Sequence, residues 1–221
     1  MEDSRALLKF KPHSTFLIAG PSKIGKTYWL TRFLKNVHCL YEEKDVPQKI
    51  YWFYSAWQPL YVELEDSLTT PITFIEGLPS KEDVMTLTDG ETHIFFVLDD
   101  LCSEAINSPD VCRMFTRDSH HRALSVAITY QNLYEQGKKS KSIALSTEYV
   151  ILFKNPRDNF QISLLGRQLF PGKAKSFLDV YRDATTNPRG YLFIDLTAQA
   201  DEAYRLRSRV LEGEDPVIYS L

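Results

Sequence analysis

The stretch STFLIAGPSKIGKTYWLTRFL, residues 14–34, decides the fold. Ser14–Ala19 is a short apolar run that stops at Gly20, the pattern of a buried strand. From Thr27 onward apolar residues recur at Trp29, Leu30, Phe33, Leu34 and Val37, which is helical spacing. Between the two, Gly20-Pro21-Ser22-Lys23-Ile24-Gly25-Lys26-Thr27 fits G-x-x-x-x-G-K-[ST] at every fixed position. Strand, glycine-bearing loop and helix stand in the order a phosphate cradle needs. Backbone N–H groups of the loop wrap a phosphate chain, and the helix N-terminus favours its charge. Lys26 reaches for the β- and γ-phosphates, and the Thr27 hydroxyl is placed to ligate Mg²⁺. The motif implies a bound nucleoside triphosphate without naming the reaction.

Outward from this loop the chain alternates strands and helices. Lys49–Tyr54 (KIYWFY), His93–Leu98 (HIFFVL), Leu124–Tyr130 (LSVAITY) and Tyr149–Phe153 (YVILF) read as strands, and Tyr191–Ile194 as a late one. Asn155-Pro156 reads as an N-cap and first helical residue, with Ile162, Leu165 and Leu169 as the apolar stripe. Pro171-Gly172 ends that helix, and Ala174, Phe177, Leu178 and Tyr181 mark the next. Continuous apolar strands between amphipathic helices predict an α/β fold, a mostly parallel sheet covered by helices on both faces. The 221 residues suit one P-loop domain, 1–221, with residues 187–221 as a C-terminal strand extension.

Composition narrows the function. Lys plus Arg number 26 against 29 Asp plus Glu, a net charge of −3, so any nucleic-acid contact must come from a local patch. Cys39, Cys102 and Cys112 have no metal-site spacing and leave an odd thiol, which reads as reduced cysteines in a cell interior. The opening residues show no secretory signal, and the longest apolar runs are strand-sized, so no membrane segment is expected.

The strand at Ile94–Leu98 ends in Asp99-Asp100. Acids after a buried parallel strand sit at the sheet edge where ligands bind. Asp99 is the expected Mg²⁺ partner of Thr27, and Asp100 is placed to accept a proton from an attacking water. Gln131 follows the next strand and is positioned to touch the γ-phosphate or that water, as an amide does in Ras-type enzymes. Phosphate loop, acidic strand, then a strand ending in a polar residue suits the additional-strand (ASCE) class of P-loop ATPases. No Asn-Lys-x-Asp guanine motif occurs.

IAGPSKIGKT from Ile18, WQPLY from Trp57, FIEGLP from Phe74, FFVLDDL from Phe95, SHHRALSVAITYQNLY from Ser119 and LFKNPRD from Leu152 carry a resemblance. From about Phe10 to Arg209 the chain resembles the viral genome-packaging ATPases of the FtsK/HerA superfamily. It looks most like those of Maverick/Polinton elements and adintovirus-like viruses, with poxvirus packaging ATPases more distant. Lys23-Ile24 departs from the small residues the family carries there, which puts loop flexibility in question but no fixed position. The resemblance implies a homo-oligomeric ring, a pentamer or hexamer, that uses Mg²⁺ and ATP to pump double-stranded DNA into a capsid or procapsid vertex. It also implies an intracellular site in the host, the nucleus ahead of the cytoplasm, with association with the virion as the alternative.

Rings of this kind complete the site with a neighbour's arginine, because charge builds on the γ-phosphoryl oxygens in the transition state. Arg122 is the first candidate and Arg117 the second. Lys138, Lys139 and Lys141 form a basic loop that is the candidate DNA contact. Tyr204–Val210 alternates, so Arg205, Arg207 and Arg209 form one face of an expected edge strand, a second basic surface. His120-His121 carries little metal signal, since neighbours in sequence diverge on a strand or helix. Two other readings stand beside the motor: a P-loop nucleotide kinase, and a nucleotide-dependent scaffold for capsid assembly.

Overall fold

In the computed structural model, which describes residues 9–221, the strand read at residues 14–19 is β1 (Thr15–Ala19), buried along its whole length. The opening residues read as lacking a signal lie outside the described region. α1 (Lys26–Lys35) leaves the phosphate loop, a single turn α2 (Val37–Leu40) follows, and the chain returns as β2 (Lys49–Tyr54). α3 (Leu60–Ser67) leads into β3 (Ile72–Glu76), and α4 (Lys81–Leu87) into β4 (Ile94–Asp99). α5 (Cys102–Ala105), α6 (Pro109–Arg113), a π-helical stretch Met114–Asp118 and α7 (Ser119–His121) then reach β5 (Leu124–Tyr130). The chain ends with α8 (Ser140–Leu145), β6 (Tyr149–Phe153), α9 (Asn159–Leu169), α10 (Ala174–Ala184), β7 (Tyr191–Asp195), β8 (Leu206–Ser208) and β9 (Val217–Tyr219).

One nine-stranded sheet runs in the order β3-β2-β4-β5-β1-β6-β7-β8-β9. β3 through β6 are parallel, and β7, β8 and β9 add to β6 antiparallel. β5 lies between the loop-bearing β1 and the acidic β4: Ala127 pairs with Phe16 on one side and Val97 on the other. This inserted strand is the one expected of the additional-strand class.

Strand alternation splits the core into two layers. Leu17, Phe96, Leu98 and Ile128 belong to one layer, with Ala105, Val111, Met114 and Phe115 from the segment between β4 and β5 and with Ile162, Leu165, Phe177 and Tyr181 from α9 and α10. Phe16, Ile18, Phe95 and Trp52 face α1 and α3 through Trp29, Phe33, Tyr61 and Leu64. Phe33 is wholly buried and meets the rings of Phe10, Phe16, Trp29, Tyr41 and Phe95. Truncating it to Ala would cost about 3–5 kcal/mol.

Three expectations are corrected. The helix placed at Pro156 begins at Asn159, capped by Asp158, whose side chain accepts from the Gln161 amide; Asn155 instead closes a turn by accepting from the Arg157 amide. Tyr204–Val210 holds a strand only at Leu206–Ser208, and it is flanked by β7 and β9, so β9 is the edge. Its basic face is absent. Arg207 is buried, bonded to Asp195 at 2.7 Å and laid over the Phe193 ring, Arg205 donates to the Asp195 carbonyl, and Arg209 leaves the strand at φ 56°. Third, the lysine stretch is no open loop: the Lys139 amide is bonded to the Ile106 carbonyl, the Lys138 amide to Asn107, and Lys141 lies in α8.

Candidate nucleotide site

The loop Gly20–Thr27 hangs from the C-terminal end of β1. The Gly20 amide bonds the Tyr130 carbonyl at 3.1 Å, and a Cβ on Gly20 would stand 2.7 Å from the Phe153 side chain, so only glycine fits. Lys23 and Gly25 take left-handed backbones, φ 65° and 119°, which turn the loop into α1. α1 has no side-chain cap and no acid in its first turn, so its N–H groups face the loop without a competing carboxylate. The Lys26 ammonium is held by the carbonyls of Gly20 at 2.6 Å and Pro21 at 3.1 Å. Burial pulls its pKa down, against the carboxylates of Asp99 and Asp100.

Asp99 ends β4 and is buried. Its carboxylate accepts from the hydroxyls of Thr27 (3.1 and 3.2 Å), Thr129 (3.2 Å) and Tyr61 (3.2 Å). Burial raises its pKa, and the Thr27, Thr129 and Tyr61 donors oppose that rise. A buried carboxylate beside a threonine hydroxyl is an all-oxygen donor set, which fits a hard divalent cation such as Mg²⁺. Asp100 is exposed at the mouth, with φ 56°. Its amide donates to the Thr129 hydroxyl at 3.0 Å, so one threonine ties both acids to β5.

The structure thus gathers Gly20–Thr27, Asp99 and Asp100 at one sheet edge. Gln131 leaves the adjacent end of β5 and is exposed. The amide drawn into a network is its neighbour Asn132, which donates to Glu135 and accepts from Asn155 at 3.3 Å. Arg122 and Arg117 lie elsewhere. Both precede β5, whose far end pairs with Ala19 beside the loop, so seven residues, about 20 Å of strand, separate them from Lys26. Arg122 bonds Thr88 at 3.4 Å and borders a cavity of about 420 Å³ with Lys81, Asp89, Arg113, Arg117 and His121.

Thr129 and Tyr61 were not legible as site residues. A hydroxyl residue near the C-terminal end of a mainly apolar strand was the available signal for Thr129; Tyr61 sits in the WQPLY segment, whose chemistry the sequence does not reveal. Tyr61 stacks on Phe74 and meets Trp52, Tyr54 and Trp57, and so joins the half-exposed Trp57 to Asp99. Among the described residues no group of three or more His, Cys, Asp or Glu could hold a metal, and no helix is long and apolar enough to cross a membrane.

Neither protein-family models nor curated protein sequences give a match to the chain. Among solved structures it is similar to B204, the DNA-packaging ATPase from Sulfolobus turreted icosahedral virus. Identity is 11% and the TM-score 0.56, over 96% of this chain and 98% of that one. The flagellar accessory protein FlaH from Methanocaldococcus jannaschii is 13% identical over 64% of this chain and 71% of its own, with a TM-score of 0.42. The likeness to B204 is one of fold, and it spans nearly the full length of both chains: this protein has the α/β architecture of a P-loop ATPase.

Proposed function

We propose that the protein is an ATP-hydrolysing motor that moves double-stranded DNA into a preformed capsid, working as a homo-oligomeric ring of the Maverick/Polinton and adintovirus-like kind. The single observation that carries the ATPase reading is the convergence of Lys26, Thr27, Asp99 and Asp100 at one sheet edge. The fold shared with a viral DNA-packaging ATPase supports the packaging reading.

In this mechanism the loop amides and the N-terminus of α1 hold the triphosphate, and Lys26 turns from its carbonyls to the β- and γ-oxygens. Thr27 and Asp99 would hold Mg²⁺, which would neutralise phosphate charge. Asp100, exposed and fixed through Thr129, takes a proton from the attacking water as the water oxygen bonds to the γ-phosphorus and the bond to ADP breaks. Gln131 orients that water. Arg122 lies too far from its own loop, so it serves the site of a neighbouring subunit. Lys138, Lys139 and Lys141 hold DNA phosphates, which position a duplex without reading its sequence.

Steady-state ATP hydrolysis, with and without duplex DNA, tests the proposal in wild type, Lys26→Ala and the Lys138/Lys139/Lys141 triple alanine variant. The expected result is DNA-stimulated hydrolysis, abolished in folded Lys26→Ala and less stimulated in the triple variant. Phosphorylation of a nucleoside monophosphate would indicate a kinase instead, and nucleotide binding without turnover a scaffold.

A further inference from the structure

A cavity of about 590 Å³ opens beside the phosphate loop, between Gly25, Tyr28 and Arg32 on one side and the turn before β7 on the other. Its size falls within the roughly 300–1,000 Å³ of small-molecule sites. β7 is antiparallel to β6, so its first residue Tyr191 pairs with Phe153 at the C-terminal end of β6. That pairing delivers the turn to the edge that carries the loop. The Gly190 amide closes the turn on the Asn187 carbonyl at 2.9 Å, and Arg189 takes a left-handed backbone, φ 60°. Its stem lies 3.4–3.7 Å from where a Gly25 Cβ would stand, and its guanidinium carbon is 4.3 Å from the centre of the Tyr28 ring.

We infer that this cavity receives the base and ribose of the nucleoside triphosphate, with the base stacked on the guanidinium plane of Arg189, which Tyr28 backs from its other face. The inference rests on the phosphate-loop reading and extends it. Tyr28 directly follows Thr27, so a triphosphate wrapped by Gly20–Thr27 has its nucleoside end beside Tyr28 and Gly25. A planar cation placed over an aromatic ring has a second face for another flat group. Two of the cavity's three carboxylates, Glu214 and Asp183, are engaged in the wall. Glu214 accepts from Arg32 and from the Tyr191 hydroxyl, and Asp183 accepts from the Tyr219 hydroxyl at 2.7 Å. A left-handed backbone at an arginine in the turn beside the loop is costly unless it places this side chain.

Isothermal titration with Mg-ATP and with Mg-tripolyphosphate separates base from phosphate binding. The variants are Arg189→Lys, Arg189→Gly and Tyr28→Ala; glycine suits φ 60° and keeps the turn folded. Loss of one stacking partner should weaken ATP binding about five- to hundredfold and leave tripolyphosphate unchanged. Arg189→Lys should behave like Arg189→Gly, because an ammonium is not planar. Equal weakening of both ligands would make Arg189 a phosphate contact and overturn the inference, as would unchanged ATP affinity in all three variants. Wild-type protein that binds tripolyphosphate as tightly as ATP would overturn it with the phosphate-loop reading intact; wild type that binds neither would remove both.

Discussion

Replacing Tyr61 with Phe removes one oxygen and leaves the packing in place. The ring is wholly buried, stacked at 5.1 Å on Phe74 and 5.4 Å from Trp52, and a phenylalanine fills the same space. Only the donor to Asp99 is lost, one of three hydroxyls at 3.1–3.2 Å. A hydrogen bond to a charged group is worth about 1.5–3 kcal/mol. Thr27 and Thr129 remain, so the carboxylate stays in place but swings more freely. Loss of such an orienting partner typically lowers metal affinity about 10- to 100-fold. The expected outcome for Tyr61→Phe is therefore a rise of that size in the Mg²⁺ concentration that half-saturates nucleotide binding, read by titration with a slowly hydrolysed ATP analogue. Binding of nucleotide without Mg²⁺ should be unchanged, and the urea midpoint should fall only slightly. The same Mg²⁺ requirement in wild type and Tyr61→Phe, with a lower urea midpoint, would refute the reasoning and leave Tyr61 a packing residue.

Asp100→Asn should bind Mg-ATP as wild type does and lose about 10²–10⁴-fold in turnover, the usual value of a general base; a loss below tenfold would remove Asp100 from that role. Arg122→Ala should lower turnover about 10³–10⁵-fold. Mixing it with Lys26→Ala subunits should restore activity, and no restoration in rings shown to contain both would move the role to Arg117. His93 gives a pH dependence. Burial holds it down to about 4, its Nδ1 meets the Asp45 carbonyl at 2.6 Å and its Nε2 meets the Ser125 hydroxyl at 2.8 Å. The unfolded chain binds this proton near pH 6.5 and the folded one only near pH 4, so stability is full above 6.5 and falls as pH drops between these values, by roughly 3 kcal/mol in all. Urea midpoints between pH 7.5 and 4 should show that slope, and His93→Gln should flatten it.

Where the sequence was legible, the physics was local. The strands at 49–54, 124–130 and 149–153 are mainly apolar and β-branched or aromatic runs, and the structure keeps those bounds. Lys26, Thr27, Asp99 and Asp100 were legible because each adjoins the end of such a strand or its loop. β3 was not read as a strand: it lies at the sheet edge and its residues are only half-buried or exposed, so its pattern is weak. The alternation at residues 204–210 was real but misleading, because period two does not say whether the second face is covered by protein or by water. Here Asp195 on the neighbouring strand turns Arg207 inward. Tyr61 and Arg189 become site residues only through contacts 38 and 164 positions away, with Asp99 and Gly25, which no local pattern encodes.

Six non-glycine residues among those described have positive φ, and three of them, Lys23, Asp100 and Arg189, border the site. For a side chain longer than that of Asn or Asp, this conformation costs about 1–2 kcal/mol. Selection for thermal stability alone would therefore push Lys23 and Arg189 toward glycine. Each step would relieve strain, and at Arg189 it would weaken the site. A library screened for heat resistance and then for turnover should find these two demands opposed at the mouth of the site and nearly independent in the two core layers.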